Sequence, residues 1–270
     1  MKIALIVDNP FRDLAGIVLL ARYLAEKRAV CYLVPMNLAE REIWHLVPDY
    51  VFLNYLRPNN EAWVKRLFAA GIEVGILETE GGIMTDIETY LKTFEVEPKL
   101  FSQVSHFFTW GHRIANAMKT RGRYTVSQLY ITGHPRFDYY ANPLKSVALE
   151  ISTYAASFSQ PLVLINGNFP VANPQFQTPE EEANALIKQF GFAPDYVKNL
   201  QEGSQKAMLQ LTALTNSLVK SFPHVTFIYR PHPFEKLETY QTLLEPAPNL
   251  HVIKQGTLDG WILRASCLIQ

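Results

Sequence analysis

The sequence has little cysteine, no excess of charge of either sign and no long hydrophobic run. Cys31 and Cys267 lie in apolar stretches, which predicts buried, reduced thiols and no disulfide framework. The 25 basic and 25 acidic residues cancel, so no global field draws the protein to nucleic acid or anionic lipid. The apolar segment at residues 2–7 is too short for a signal peptide or a membrane-spanning helix. These features predict a cytoplasmic protein.

Several signatures of catalytic chemistry are also missing. The chain contains no G-x-G-x-x-G dinucleotide fingerprint and no G-x-x-x-x-G-K-[ST] phosphate loop. It has neither the G-x-S-x-G elbow of serine hydrolases nor the H-E-x-x-H helix of zinc proteases. An Asp-x-Asp pair and zinc-type Cys/His spacing are absent too. The sequence therefore predicts a reaction with neither a metal nor a cofactor.

What is present is a globular composition and a repeated strand-helix pattern. Of the 270 residues 48% are hydrophobic and 19% charged, which is typical of a soluble protein with one or two domains. Short apolar runs alternate with amphipathic helical segments, and this pattern predicts an α/β fold with parallel sheets. The predicted strands lie at residues 2–7, 30–34, 49–56, 72–77, 106–110, 129–132, 161–167, 225–230, 250–254 and 267–270.

The alternation weakens between about residues 141 and 160, which predicts a domain boundary or a linker there. We therefore predict an N-terminal domain over residues 1–145 and a C-terminal domain over residues 156–270. Open α/β sheets place ligand groups in the loops beyond the strand ends. Since the chain stops at a strand, we expect the second domain to be truncated.

Two carboxylates follow the strand at 72–77. Glu78 and Glu80 stand two residues apart, beside Gly81 and Gly82, which let a backbone approach a ligand closely. In an enclosed site one carboxylate raises the pKa of the other, and this produces a general base. The alternative is a solvated acidic turn before a helix capped at residues 85–86.

A rigid turn with an imidazole and a guanidinium follows the strand at 129–132. His134 and Arg136 in this turn are predicted to bind substrate, although Arg136 could instead pair with Asp138 at a helix start. In the second half, His232 stands between two prolines beyond a strand that ends at Arg230, and a phosphate is their natural partner. The alternative is a stiff surface turn.

Weaker signals accompany these clusters. Asp8 and Asn9 follow the first strand and could line the same site, although an Asx turn explains them equally well. Asn166 and Gly167 follow the first strand of the second half, where glycine fits a backbone wrapped around a phosphate or ribose. Residues 57–60 are interpreted as a helix cap. The tryptophans are interpreted as core residues: Trp44, Trp63, Trp110 and Trp261.

Taken in order, these motifs resemble a known family. The segments DNPFRDLAG, YVFLNYLRPNN, LETEGG, HFFTWG, TGHPRFDYY and YRPHPFE together look like the bacterial surface carbohydrate (surface polysaccharide) biosynthesis proteins, relatives of GT-B glycosyltransferases. The resemblance spans residues 3–270. GHPRFD is more distantly similar to a turn of CDP-glycerol glycerophosphotransferases. The acidic-Gly motif at Glu80-Gly81 and the His-Pro motif at His232-Pro233 resemble those of bacterial sialyltransferases and capsule Kdo transferases, which use CMP-activated sugars.

The resemblance implies a GT-B fold, in which two Rossmann-like domains face a cleft. The first domain would hold the acceptor and the second the nucleotide donor. Glu80 would deprotonate the acceptor hydroxyl, and His232 would contact the donor phosphate. The sialyltransferase motif has two adjacent acidic residues before the glycine. In this sequence Thr79 occupies the position of the first acid, so Glu78 is the alternative base. The family's Ser/Thr pair for the donor phosphate would lie beyond Gln270.

The resulting hypothesis is a metal-independent glycosyltransferase of cell-surface polysaccharide biosynthesis. Its donor would be a nucleotide-activated sugar, with a CMP-sugar as one option, and its acceptor a glycan or a lipid-linked glycan. Peripheral association with the inner face of the membrane is an open alternative to a purely cytoplasmic location. The alternative functions are a glycerophosphotransferase, a nucleotide-sugar epimerase, and a catalytically silent nucleotide- or glycan-binding module.

Overall fold

The chain folds into two compact units, each built on a parallel sheet. A computed structural model describes residues 1–81 and 86–270. The units comprise Met1–Leu144 and Lys145–Gln270. Among the described residues, no helix combines the length and the apolar character that crossing a bilayer requires.

The first unit contains six parallel strands in the order β2-β1-β3-β4-β5-β6. The strands are β1 (Lys2–Val7), β2 (Val30–Pro35), β3 (Tyr50–Leu53), β4 (Glu73–Leu77), β5 (His106–Thr109) and β6 (Leu129–Ile131). The helices are α1 (Leu14–Glu26), α2 (Met36–Leu46), α3 (Glu61–Ala69), α4 (Ile87–Lys92), α5 (Lys99–Gln103) and α6 (His112–Thr120). Short 3-10 helices cover Pro58–Asn60, Val126–Gln128 and Pro135–Tyr140.

The position of each strand in the sheet explains its residue pattern. β1 lies inside the sheet, paired with β2 and β3, and all of its residues from Ile3 to Val7 are buried. A strand covered on both faces reads as a continuous apolar run, which is why β1 was readily predicted. Because all strands are parallel, the loops after β1, β3, β4, β5 and β6 emerge at one edge of the sheet.

The second unit contains four parallel strands in the order β10-β7-β8-β9. They are β7 (Leu162–Asn166), β8 (Thr226–Arg230), β9 (Leu250–Val252) and β10 (Cys267–Ile269). The helices are α7 (Leu144–Ile151), α8 (Thr153–Ala156), α9 (Pro179–Phe190), α10 (Pro194–Ser221), α11 (Leu237–Leu243) and α12 (Leu258–Arg264). At the start of α9 the Thr178 hydroxyl accepts a hydrogen bond from the backbone N–H of Glu181, as expected for a capping residue.

The structure confirms the predicted α/β class with two parallel sheets, and each predicted strand is present. The division between the two units falls inside the interval 141–160, where a domain boundary or linker was predicted, and that interval also holds α7 and α8. Two side-chain predictions were wrong. Trp44, which was predicted to be a core residue, is 39% exposed. Cys267 is exposed, because β10 is an edge strand and leaves one side of its residues uncovered, whereas Cys31 is partly buried. The acceptor and donor roles of the domains at 1–145 and 156–270, and the cleft between them, stay predictions.

Candidate functional site

Glu78 is the first residue after β4, and its carboxyl group is fully buried. Its Oε1 accepts a hydrogen bond of 3.2 Å from Arg57 and another of 3.2 Å from the backbone N–H of Glu80. Its Oε2 is also buried, and the carboxyl group interacts with the hydroxyl of Tyr90. Burial raises the pKa of Glu78 to about 7, although the positive charge of Arg57 opposes that rise. A carboxyl group that titrates near neutral pH can both take and give a proton.

Glu80 lies two residues further along the same loop but in a different environment. Its side chain is 46% exposed and forms a 3.1 Å ion pair with Nη1 of Arg57. Arg57 therefore bridges both carboxylates, with only 18% of its own side chain exposed. Residues 57–60, predicted to cap the following helix, form a 3-10 turn in which the N–H of Arg57 donates to the side-chain oxygen of Asn60. Asn60 makes no side-chain hydrogen bond to the start of α3. The guanidinium of Arg57, which was not among the predicted site groups, is the cation of the acidic cluster.

Gly81 is required by the close packing around Glu78. A methyl group at this position would lie 2.8 Å from Cγ of Glu78 and 3.3 Å from the hydroxyl of Tyr90. Any larger residue would therefore displace the buried carboxyl group. Gly82, which was predicted to bind substrate, lies outside the described residues, as does residue 85 of the predicted helix cap.

The loop after β6 is joined to the acidic loop by Arg136. Its Nη1 forms a 3.0 Å ion pair with Asp13, which is fully buried, and its Nη2 donates to the backbone oxygen of Thr79. The guanidinium also lies 4.5 Å from the ring centroid of Trp110, whose Nε1 donates to the backbone oxygen of Glu78. Arg136 thus positions the loop that carries both carboxylates.

His134 is buried and in its neutral form. Its Nδ1 accepts a hydrogen bond from the backbone N–H of Arg136, so the ring proton is on Nε2. Burial, together with the positive charge of the nearby Arg136, lowers the pKa of His134 to about 4. Nε2 is buried with no hydrogen-bond partner among the described residues. His134 is therefore a potential hydrogen-bond donor at neutral pH, but not a cation.

The two polar residues after β1 are engaged within their own loop. Asp8 forms a 2.7 Å ion pair with Arg12. The side chain of Asn9 accepts from the backbone N–H of Phe11, which is the Asx turn offered as the structural alternative. Asp13, which was not among the predicted site residues, is fully buried in this loop.

In the second unit, a buried carboxylate organises the loop that carries His232. Glu235 is fully buried, and its Oε1 accepts from the backbone N–H of His232 at 2.8 Å and of Phe169 at 3.0 Å. The hydroxyl of Tyr240 donates to its Oε2. Glu235 therefore ties together the loops after β7 and β8. The sequence showed Glu235 in the motif YRPHPFE, but not that it is buried.

His232 itself is partly buried, and burial lowers its pKa. Its Nδ1 accepts from the backbone N–H of Phe234 at 3.2 Å, which leaves the proton on Nε2. The prolines and Glu235 hold this ring at the carboxyl end of β8. His232 is therefore a preformed donor for an anionic oxygen.

Three other residues of this unit were predicted to bind nucleotide, and they differ in whether their polar groups already have partners: Arg230, Asn166 and Gly167. Arg230 donates from Nη1 to the backbone oxygen of Gln255 at 2.7 Å and from Nη2 to that of Gly256 at 2.8 Å. This side chain thus stabilises the loop after β9, which favours a structural role. Oδ1 of Asn166 is buried with no hydrogen-bond partner among the described residues. Gly167 donates its N–H to the backbone oxygen of Arg230, linking β7 to β8.

The described residues contain no cluster of three or more His, Cys, Asp or Glu side chains that could hold a metal ion. No protein-family model matches the sequence, and no curated protein matches it at a significant level. Solved structures do match over nearly the whole chain.

One solved structure is the S. aureus MnaA–UDP complex, with a TM-score of 0.61, 13% identity and coverage of 99% of this chain and 73% of that chain. A UDP-GlcNAc 2-epimerase from Methanocaldococcus jannaschii gives a TM-score of 0.60 and 12% identity, and the match covers 99% of this chain and 78% of that chain. The H444N variant of the wall teichoic acid polymerase TagF, soaked with CDPG, gives a TM-score of 0.52 and 12% identity. This match covers 99% of this chain and 64% of that chain.

The chain has a GT-B fold. At 12–13% identity, the likeness to these structures extends to the fold and not to a particular activity. The GT-B fold was predicted from the motif resemblance and is confirmed. Similarity to CMP-sugar transferases is not among these findings.

Proposed function

We propose that this protein is an enzyme that acts on a nucleotide-activated sugar, with Glu78 as its acid-base group and His232 as a ligand of the donor phosphate. The observation that carries the proposal is the buried carboxyl group of Glu78, whose pKa is raised to about 7 at the carboxyl edge of a parallel sheet. General bases work best when their pKa lies near the working pH.

The environments of the two carboxylates favour Glu78 over Glu80 as the base. Glu80 is 46% exposed, and its carboxylate is paired with Arg57. Glu78 is buried, and its raised pKa lets its carboxyl group accept a proton near neutral pH. We infer that Glu80 keeps Arg57 in place, while Glu78 performs the proton transfer.

The preferred reaction is glycosyl transfer in cell-surface polysaccharide assembly. As the acceptor oxygen bonds to the anomeric carbon, the bond from that carbon to the phosphate oxygen breaks, and the acceptor proton moves to Glu78. Negative charge develops on the departing phosphate, and the Nε2–H of His232 would stabilise it. This step needs no metal, so EDTA should leave activity intact. The motif resemblance supports a glycan or lipid-linked acceptor at the inner face of the membrane, and a CMP-sugar donor.

Epimerisation of a nucleotide sugar is the second candidate. UDP-GlcNAc 2-epimerase structures that match this chain support it, with TM-scores of 0.55–0.61, although two TagF structures lie close below them at 0.52 and 0.54. Inversion at a sugar carbon breaks and remakes a C–H bond, and a buried carboxyl group with a pKa near 7 suits that proton exchange as well.

One experiment separates these reactions. The protein is incubated in D₂O with UDP-GlcNAc, CDP-glycerol or a CMP-sugar, with and without a glycan acceptor, and the products are analysed by NMR and mass spectrometry. Transfer releases nucleotide only when the acceptor is present and leaves the sugar C–H bonds protiated. Epimerisation instead introduces deuterium at the inverted carbon. If no donor reacts and calorimetry detects no nucleotide binding, the proposal is wrong.

Two matched variants assign the base. With the donor that reacts, Glu78→Gln keeps the side-chain shape but removes the base, so turnover should fall by about 100- to 10,000-fold while nucleotide affinity stays the same. Glu80→Gln makes the same chemical change two residues away, and turnover should fall by less than about tenfold. The reverse order would reassign the base to Glu80.

A further inference from the structure

Two phenylalanine side chains lie exposed beside His232, at the carboxyl edge of the sheet in the second unit. Phe176 is 83% exposed and Phe234 is 57% exposed. Their ring centroids lie 6.4 Å apart, and the ring centroid of Phe234 lies 5.5 Å from that of His232. We call Phe176 and Phe234 the phenylalanine pair. Single exposed apolar residues are common on proteins, but these two form one aromatic surface next to the proposed phosphate ligand.

The two phenylalanines belong to different loops, which pair with each other through the backbone. Phe176 lies between β7 and α9, and Phe234 lies between β8 and α11. The N–H of Gln175 donates to the backbone oxygen of Phe234 at 2.8 Å, and Pro174 forms an antiparallel bridge with Glu235. The backbone pairing of these loops therefore keeps the two rings side by side.

Polar side chains fix both loops beneath the phenylalanine pair. Nζ of Lys254 donates to Oε1 of Gln175 at 2.7 Å and to the backbone oxygen of Pro233 at 3.2 Å. Asn173 is buried, and its Nδ2 donates to the backbone oxygen of Lys236 at 2.8 Å. The two exposed rings are thus carried by an ordered backbone. A surface that is already ordered loses little conformational entropy when a ligand binds to it.

The neighbouring groups select a planar ring that carries a phosphate. Nδ1 of His232 accepts from the backbone N–H of Phe234, so His232 offers its Nε2–H to an anionic oxygen. Exposed aromatic side chains bind nucleobases by stacking, because every base has a π-face. In a nucleotide one ribose separates the base from the first phosphate. This separation is similar to the spacing between His232 and the phenylalanine pair.

We propose that the phenylalanine pair is the platform on which the base of a nucleotide stacks while His232 binds its phosphate. The proposal rests on the proposed function for the phosphate ligand, and it adds a binding site for the base. Stacking depends on the face of a base and not on its edge, so the platform accepts uracil and cytosine alike.

Ligand-observed NMR titration of the full chain with three probes separates the base from the phosphate. UMP carries both groups, ribose 5-phosphate lacks the base, and uridine lacks the phosphate. We expect the wild type to bind UMP at least about tenfold more tightly than either fragment. CMP should bind within about threefold of UMP, since stacking tolerates either base.

Substitution of Phe176 tests the platform without touching His232. Phe176→Ala shortens a side chain that is 83% exposed, so the variant should fold as the wild type does. It should weaken UMP binding about 5- to 20-fold and leave ribose 5-phosphate binding unchanged. Phe176→Trp should retain UMP binding, because indole also stacks on a base. The matched control is Phe222→Ala, since Phe222 is 45% exposed but lies before β8, at the opposite edge of the sheet.

Two further variants separate the roles of the neighbouring rings. Phe234→Ala keeps the backbone N–H that orients His232, so it should weaken UMP binding about 5- to 20-fold and spare ribose 5-phosphate. His232→Ala should instead weaken UMP and ribose 5-phosphate to the same extent and leave uridine binding unchanged.

The platform is refuted if Phe176→Ala and Phe234→Ala bind UMP as tightly as the wild type, or if Phe222→Ala loses as much affinity as they do. Equal losses for UMP and ribose 5-phosphate in the phenylalanine variants would also refute it. Binding of methyl N-acetylglucosaminide that depends on the pair, without nucleotide binding, would identify a sugar platform and overturn the proposal.

The proposed function fails in a different way. If UMP binding depends on the phenylalanine pair but no donor reacts, the platform is supported and the enzymatic function is wrong. If a donor reacts and the phenylalanine variants bind its nucleotide normally, the enzymatic function stands and the platform alone is wrong.

Discussion

Glu78→Gln is expected to stabilise the protein at alkaline pH even though it removes the proposed base. Burial raises the pKa of Glu78 to about 7 from the ordinary 4.5. Between these pH values the folded chain retains a proton that the unfolded chain has lost. The contribution of Glu78 to stability is therefore fully present below about pH 4.5 and decreases as the pH rises through about 7.

The magnitude follows from the size of the pKa change. A rise from 4.5 to about 7 corresponds to about 3 kcal/mol of unfolding free energy lost by pH 8. Glutamine is neutral at every pH, and its amide oxygen can accept the same hydrogen bonds from Arg57 and from the N–H of Glu80. We therefore expect the variant to match the wild type at pH 4.5 and to exceed it by about 2–3 kcal/mol at pH 8.

Urea unfolding at several pH values, followed by tryptophan fluorescence, measures this difference. Trp110 reports on the region, because its Nε1 is bonded to the backbone of Glu78. Glu80→Gln is the control, since Glu80 is 46% exposed and contributes less than burial does to the raised pKa of Glu78, so its gain in stability at pH 8 should be much smaller. If the difference in unfolding free energy between the wild type and Glu78→Gln stays the same from pH 4.5 to pH 8, the assigned pKa of Glu78 is wrong.

Three further predictions concern the scaffold and the phosphate loop. Gly16→Ala would place a methyl group 2.5 Å from the backbone nitrogen of Arg136, so we expect a loss of about 1–3 kcal/mol in urea unfolding, and an unchanged midpoint would contradict this contact. Glu235→Gln should lower the unfolding free energy by about 1–3 kcal/mol and also weaken nucleotide binding, whereas normal affinity in calorimetry would show that Glu235 does not position His232. His232→Ala should weaken binding of the cognate nucleotide about 10- to 100-fold in the same assay without altering stability, and equal affinity would remove His232 from the site.

The strands and the loops that carry polar groups could be predicted from the sequence because each depends on local pattern and topology. β1 and β4 are nearly continuous apolar runs, as expected for strands buried on both faces. Once the sheets are parallel, the residues after each strand must lie at one edge. Glu78 and His232 were found in this way.

The environment of each side chain could not be predicted, because it depends on neighbours distant in sequence. Glu78 and Glu80 would share one face if the strand continued, but β4 ends at Leu77, and the turn buries one carboxylate and exposes the other. Arg57 meets them because β3 and β4 are adjacent in the sheet. The pair of Asp13 with Arg136 spans 123 residues, and no local signal marks it.

The bonds of Arg136 have a consequence for evolution and engineering. This side chain connects the loop of Asp13 to the backbone of Thr79, while its own loop packs against Gly16. The contacts of Arg136 therefore hold together three segments from different parts of the chain. A substitution in one segment changes the geometry with which the other two segments pack. Substitutions in these segments should be strongly epistatic. Loops grafted here from another GT-B protein would have to be exchanged as a set.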